Sequence, residues 1–378
     1  VQVAGTGPVP SGAVPSGTSG ETPAGAGGRT GRRPRLADVA SHAGVSPGLV
    51  SLVLRGQPGP SERARTRVLK AARQLGYRAD RTASLLARRR SRHLGVVMDV
   101  RNTFHANLVA DLDSAAARRG YDLLLSTVTP HRNERIAAET LLDFRCEALV
   151  LIGPDDPDQL LNALGMELPV IVVGRRVRRP EVDMVRAADD RGVALAVGHL
   201  AALGHRAIAF VDGGRGTIAS DRRRGYRQAM REHGLASQIR IIPGDHTEEA
   251  GIRAAAALSG PGAPSAGPGS AGPGSRQGRP FTVTAVIASN DRCAVGLLDA
   301  CARQGIRVPD QVSVAGYDDS MLARLAHVDL TTVSQDAAAQ AEQAVALAAE
   351  RLETGRTTPR EIVLTPHLVI RSTTGPPS

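Results

Sequence analysis

The 378-residue chain has no tryptophan, four phenylalanines and four tyrosines. So few flat rings, Phe104 and Tyr317 among them, leave little to stack on a ligand, which favours recognition by hydrogen bonding. Cysteine is nearly absent too. Cys146, Cys293 and Cys301 are odd in number and lack metal-ligand spacing. They exclude a disulfide framework and a zinc cluster and point to a reduced cytoplasmic setting. No apolar run reaches 18 residues, so no membrane span is expected. Residues 1–33 are rich in Gly, Pro, Ser and Thr without an apolar signal core, and read as a disordered tail. Catalytic signatures are missing as well: there is no GxxxxGK[ST] phosphate loop, GxSxG elbow or HExxH zinc pair. GGRGT at 213–217 reads as a turn at a strand end. Neither an enzyme nor a cofactor is expected.

What the chain does have is concentrated positive charge. Its formal net charge is +10, with one lysine, Lys70, among 47 basic residues. From Thr30 to Arg92, fifteen basic residues face three acids, a local balance of +12, so the remainder is slightly acidic. An arginine habit explains arginine over lysine but not the clustering, which marks a polyanion-binding region.

Within it, LADVASHAGVSPGLVSLVL (36–54) reads as two short helices joined by a tight turn. Gly44 supplies the turn and Val45 plugs its corner. Ser46 is an N-cap with Pro47 at the first helical position. Val50, Val53 and Leu54 give the second helix an apolar face. A third helix is expected over about 61–75, capped by Ser61, with Val68, Leu69, Ala72 and Leu75 closing a small core. RTASLLARR, after Asp80, is a helix too short to stand alone.

From His93 the pattern changes. Apolar runs at 94–100, 121–126, 148–153, 170–174, 207–212, 283–289 and 312–318 alternate with helical stretches near 105–119, 132–143, 189–203, 220–233, 290–304 and 335–354. Continuous apolar strands between helices predict parallel sheets covered on both faces, two of about six strands each. Residues 259–280 form a Gly/Pro/Ser insertion expected to be disordered.

These pieces together resemble the LacI/GalR family of transcription regulators over residues 35–374. The resemblance is carried by LADVASHAGVS…VS…L, VLKAARQLGYRADRTASLLARRRSRHLGVV (68–97), LGHRAIAFVDG (203–213), RRRGYRQAM (222–230), ASNDRCAVGLLDACARQGIRVPDQVSVAGYDDS (288–320) and LTTVSQD (330–336). It implies an all-α helix-turn-helix headpiece (34–79), a hinge helix (80–92) and a two-lobed, doubly wound α/β domain like periplasmic sugar-binding proteins (93–374). The first lobe is expected at about 93–187 plus 334–356, the second at 188–333 plus 357–374. The implied function is repression, by a homodimer or tetramer on a near-palindromic double-stranded operator, under a small-molecule effector, by family default a carbohydrate. A nucleoid-associated cytoplasmic protein is expected. The runner-up is a transporter's solute-binding protein, which has the lobes but no use for the basic headpiece.

The resemblance also distributes roles. Pro47, Gly48 and Leu52 take the positions that reach major-groove base edges, Ser46, Val50 and Ser51 pack the helix or touch phosphate, and Arg55 stands at its end. Here the chain departs from the family: Leu49 and Leu52 replace the usual Thr and Arg, and leucine cannot make the bidentate guanine contact. Leu86 matches the hinge leucine that wedges into the minor groove, although packing against its partner helix is also open to it; Arg81 and Arg88 lie beside the backbone. In the two-lobed domain the resemblance assigns the effector to strand ends between the lobes. The candidates are Asn102, Phe104, Arg222, Asn290, Asp318 and Gln335. Asn290 is as well placed to cap the following helix as to meet the effector, Asp291 reads as a cap, and His199 and His205 read as structural.

Overall fold

The computed structural model describes residues 34–54, 56–77, 90–154, 157–163, 168–179, 181–258 and 283–378. The N-terminal tail, Arg55, the expected hinge helix up to residue 89 with Arg81, Leu86 and Arg88, and the 259–280 insertion lie outside the described residues, and residues 90–92, expected to end that helix, are not helical. The chain divides into two units, residues 1–88 and 89–378.

The first unit holds α1 (Leu36–Ala43), α2 (Pro47–Leu54) and α3 (Glu62–Gln74). Gly44 takes the left-handed conformation (φ 62°) that ends α1, and the chain bends by 103° into α2. Val39, Ala40, Ala43, Val50, Val53, Val68, Ala71 and Ala72 form the core, with Val45, Leu54 and Leu75 partly buried against it. Leu69 departs from expectation: it is 36% exposed, and Ala64 and Ala71 take the inward positions of α3 instead. Short helices packed this closely leave room for alanine and not for a further leucine.

The second unit is two-lobed. Its first lobe has a six-stranded parallel sheet in the order β11-β5-β4-β3-β1-β2. The strands are β1 (His93–Asp99), β2 (Asp122–Val128), β3 (Ala148–Ile152), β4 (Val170–Val173), β5 (Asp183–Ala187) and β11 (Glu361–Leu364). Central strands such as β3 are buried on both faces, which is why they read as unbroken apolar runs. One face is covered by α4 (Thr103–Arg118) and α11 (Ala337–Thr354), the other by α5 (Glu134–Asp143) and α6 (Pro157–Ala163).

The second lobe has four parallel strands in the order β7-β6-β8-β9, fewer than expected. These are β6 (Ile208–Val211), β7 (Arg240–Ile242), β8 (Ala285–Ile287) and β9 (Ser313–Ala315). They lie between α7 (Asp189–Ala202) with α8 (Thr217–Glu232) and α9 (Glu248–Leu258) with α10 (Asp291–Arg303). A small antiparallel pair, β10 (Thr332–Ser334) with β12 (His367–Val369), completes the domain. The α9–α10 contact is backbone on backbone: a Cβ on Gly296 would strike the Glu248 carbonyl, and one on Gly251 that of Cys293.

Residues 357–364 belong to the first lobe, not the second, because β11 pairs with β5 from Glu361–Met184 to Leu364–Ala187. A buried carboxylate fixes this arrangement. Asp183 accepts hydrogen bonds from Arg351 Nε (2.7 Å), Arg356 Nη2 (2.9 Å) and the Arg360 amide (2.6 Å). The chain passes between lobes three times, at Ala188, at 335–336 and at 365–366, and the Ala188 amide donates to the Leu364 carbonyl, tying the first passage to the third.

Candidate functional site

In the first unit, the Ser46 hydroxyl accepts from the Leu49 amide (3.3 Å), which caps α2. Pro47, Gly48 and Leu52 are exposed, Leu52 by 37%. Val50 corrects the expected set of DNA-facing residues: it is 0% exposed and holds the helix in place from inside. The outward side of α2 therefore offers a leucine, small residues and the cap, with no charged side chain in Pro47–Leu54.

In the second unit, Asn102, Phe104, Arg222, Asn290, Asp318 and Gln335 line one cavity of about 440 Å³ between the lobes. All but Arg222, which lies in the second turn of α8, follow the C-terminal end of a strand or begin a helix. Asn102 caps α4, accepting from the Phe104 amide (3.0 Å), and Asn290 caps α10, accepting from Cys293 (2.9 Å). Capping and lining are thus the same placement. Asp291 does not cap. It is fully buried, accepting from the Ser320 amide (2.7 Å) and the Thr332 hydroxyl (2.5 Å), and burial pushes its carboxyl up to about 6 against those bonds.

Arg222 is the centre of the polar wall. Its Nε donates to Asp189 (2.8 Å) and its Nη1 to the Ser289 carbonyl (2.5 Å), and Asp318 lies 3.7 Å from Nη2. The guanidinium covers the Tyr317 ring at 3.7 Å. Tyr317 is consequently buried beneath arginine and offers no stacking face to the cavity, unlike Phe104. Burial raises the Asp318 carboxyl to about 8, opposed by Arg222, and Gln335 Nε2 donates to it (2.6 Å).

Several lining residues carry no signal in the sequence. His105, Arg175 and His246 all face the cavity, and Arg101 pairs with Asp99 at its edge (3.0 Å). His199 and His205 are structural: His199 meets Thr374 (3.0 Å), while His205 bridges Thr284 (2.9 Å) and the Gly375 carbonyl (2.9 Å). Among the described residues no group of His, Cys, Asp or Glu is arranged to hold a metal, and no single helix is long and apolar enough to cross a membrane.

Known proteins match both units. The model of bacterial regulatory proteins of the lacI family covers residues 35–80, that of periplasmic binding proteins and the sugar binding domain of the LacI family 92–272, and that of the periplasmic binding protein-like domain 197–374. The transcriptional regulator GalR of Escherichia coli (strain K12) is 32% identical over 348 residues, 91% of this chain and 96% of the relative. A LacI transcriptional regulator from a Rhodococcus species is 43% identical over 75% of this chain and 98% of its own, with a TM-score of 0.68. The lac repressor dimer bound to operator and the anti-inducer ONPF is 25% identical over 91% of this chain and 100% of its own, with a TM-score of 0.73. Helix-turn-helix, two-lobed domain and inter-lobe cavity thus stand in the family's order, and the chain belongs to the LacI/GalR family as a ligand-responsive, DNA-binding transcription regulator.

Proposed function

We propose that the protein is a repressor that binds a near-palindromic operator as a homodimer and is controlled by a carbohydrate held in the inter-lobe cavity. The observation that supports this best is the meeting of Asn102, Phe104, Arg222, Asn290, Asp318 and Gln335, from five separate stretches of chain, around one polar space. Arg222 Nη2 and the Asp318 carboxyl stand side by side at the cavity wall, a donor next to a group that can both donate and accept, a pairing suited to vicinal hydroxyls. On DNA, Leu52 reads a thymine methyl by apolar contact, with Pro47 and Gly48 allowing close approach and Ser46 and Ser51 meeting phosphate. Arg55, Arg81, Leu86 and Arg88 keep the roles the family implies, with Leu86 as the minor-groove wedge.

Operator selected from random duplexes, followed by calorimetry with galactose, ribose and cellobiose in the presence and absence of that operator, tests the reading. It predicts two protected half-sites and a sugar whose binding shifts operator affinity. Leu86→Ala should weaken operator binding while sparing random DNA, in parallel salt titrations. Equal losses on both would remove the wedge.

A further inference from the structure

The cavity contains two imidazoles, one from each lobe. His105 lies on the first turn of α4, just beyond β1, and His246 lies between β7 and α9. The His105 ring has a fixed tautomer: Nδ1 accepts from the Asp99 amide (3.2 Å), which leaves Nε2–H as the donor, beside Gly153. The His246 ring is seated on Gly213, where a Cβ would come within 2.5 Å of Cε1. Asn290 Nδ2 holds its carbonyl (3.3 Å), and the Ser289 hydroxyl holds that of Asp245 (2.8 Å), so the loop is stitched to the start of α10.

Strand order places both rings away from the passages between lobes. β1 is three strands from β5, and β7 is three strands from β9, which adjoins β10 through the Ala315–Thr331 bridge. At the usual strand spacing each ring is about 14 Å from the passages. A rotation of the lobes about those passages therefore separates His105 from His246 far more than it disturbs Asp318, whose neighbours Arg222 and Gln335 belong to its own lobe or to the passage itself. The present arrangement is a closed one: Thr217 Oγ1 donates to the Arg176 carbonyl across the cleft (3.4 Å), and Arg176 stands 3.8 Å from Asp221.

We propose that His105 and His246 are effector-contacting residues that meet the ligand only as neutral imidazoles, so that closure of the cleft on its effector expels protons. This rests on the cavity being the effector site. The groups facing the rings explain why charge is excluded. Arg175 faces both rings and Arg222 faces His246. The carboxylates near them are engaged elsewhere: Asp99 with Arg101, Asp245 with Thr247 and Arg253, and Asp318 with Arg222 and Gln335. Arg292 is paired with Glu248 (2.6 Å); Glu134 and Glu249 also line the cavity, half-buried and exposed respectively. Burial first, and then Arg175, lowers His105 to about 4 despite Asp99; burial, then Arg222 and Arg175, lowers His246 to about 3.

The sign follows from linkage. In an open cleft both rings meet water and titrate near 6.5, so closure is fully favoured above that pH and weakened as pH falls below it. Each ring then contributes about a tenfold loss of effector affinity between pH 7.5 and 5.5. The test is calorimetry on the full chain with whichever of galactose, ribose and cellobiose binds, at pH 7.5 and 5.5. It compares the parent with His105→Gln, His246→Gln and the double variant, whose amides donate but do not titrate. The parent's loss should exceed that of each single variant about tenfold and that of the double variant about a hundredfold; comparing variants cancels any contribution from Asp318. Superimposable pH profiles overturn the inference and leave the effector site standing. If no sugar binds, the carbohydrate reading falls, and ¹⁵N-histidine NMR decides the present one by comparing the parent with a chain whose cleft is held shut by a disulfide between Arg176→Cys and Thr217→Cys, which meet across it. Two rings that titrate well below 6 in the locked chain and near 6.5 once the disulfide is reduced support the inference, and two rings that titrate alike in both states overturn it.

Discussion

Helix α2 and the inter-lobe cavity are opposite in make-up. From Pro47 to Leu54 the helix has one polar side chain, Ser51, and owes its position to Val50 and Val53 beneath it. The cavity wall is a mesh in which Arg222, Asp189, Asp318 and Gln335 satisfy one another. Shape and position do most of the work in the first, and desolvated charge in the second. A substitution should therefore be tolerated on α2 where its counterpart in the cavity is not.

Arg222→Met breaks the comparison hardest. It leaves Asp189 buried without the cation it pairs with, and should cost about 3–5 kcal/mol in urea unfolding of the two-lobed unit. A loss below about 1 kcal/mol would mean that the mesh rearranges and the contrast is overstated. Ser46→Ala removes the α2 cap and should lower headpiece stability by about 1 kcal/mol, read from its own thermal transition. Leu52→Ala should change least. Folding should be untouched, and operator affinity should fall by less than about 1 kcal/mol, below the roughly 1–3 kcal/mol of a bidentate base contact. A larger loss, confined to sites with a thymine at the facing position, would promote Leu52 to the main reader.

The same contrast governs what the sequence makes legible. The helix-turn-helix announces itself through residues with few alternatives: Gly44 at φ 62°, the Ser46–Pro47 start, and valines at helical spacing. The buried strands β1, β3 and β4 are equally plain. β5 is not, because DMVRA alternates buried and half-buried residues and its Arg186 is satisfied by Glu361, 175 residues away (2.6 Å). β7 and β10 have only three residues each, too few to show a period. In the cavity, Asn102 and Asn290 are visible because helix caps occur at strand ends. His105 and His246 are silent because a lone histidine has no spacing, and only the fold brings two from opposite lobes together. The lost reading of Tyr317 has a similar cause, since nothing in VSVAGYDDS shows that an arginine 95 residues earlier covers the ring.

Asp183 adds a consequence for how the molecule is made. Its partners Arg351, Arg356 and Arg360 and its neighbouring strand β11 are the last parts of the first lobe to be synthesised, although β1 to β5 are complete by Ala187. During synthesis, then, the edge of β5 waits through about half the chain with its ladder groups unpaired and a carboxylate without its cations. The three-helix unit, whose apolar core among the described residues falls within residues 36–77, has no such wait. The part of the regulator that meets DNA can be folded on the ribosome well before the part that controls it.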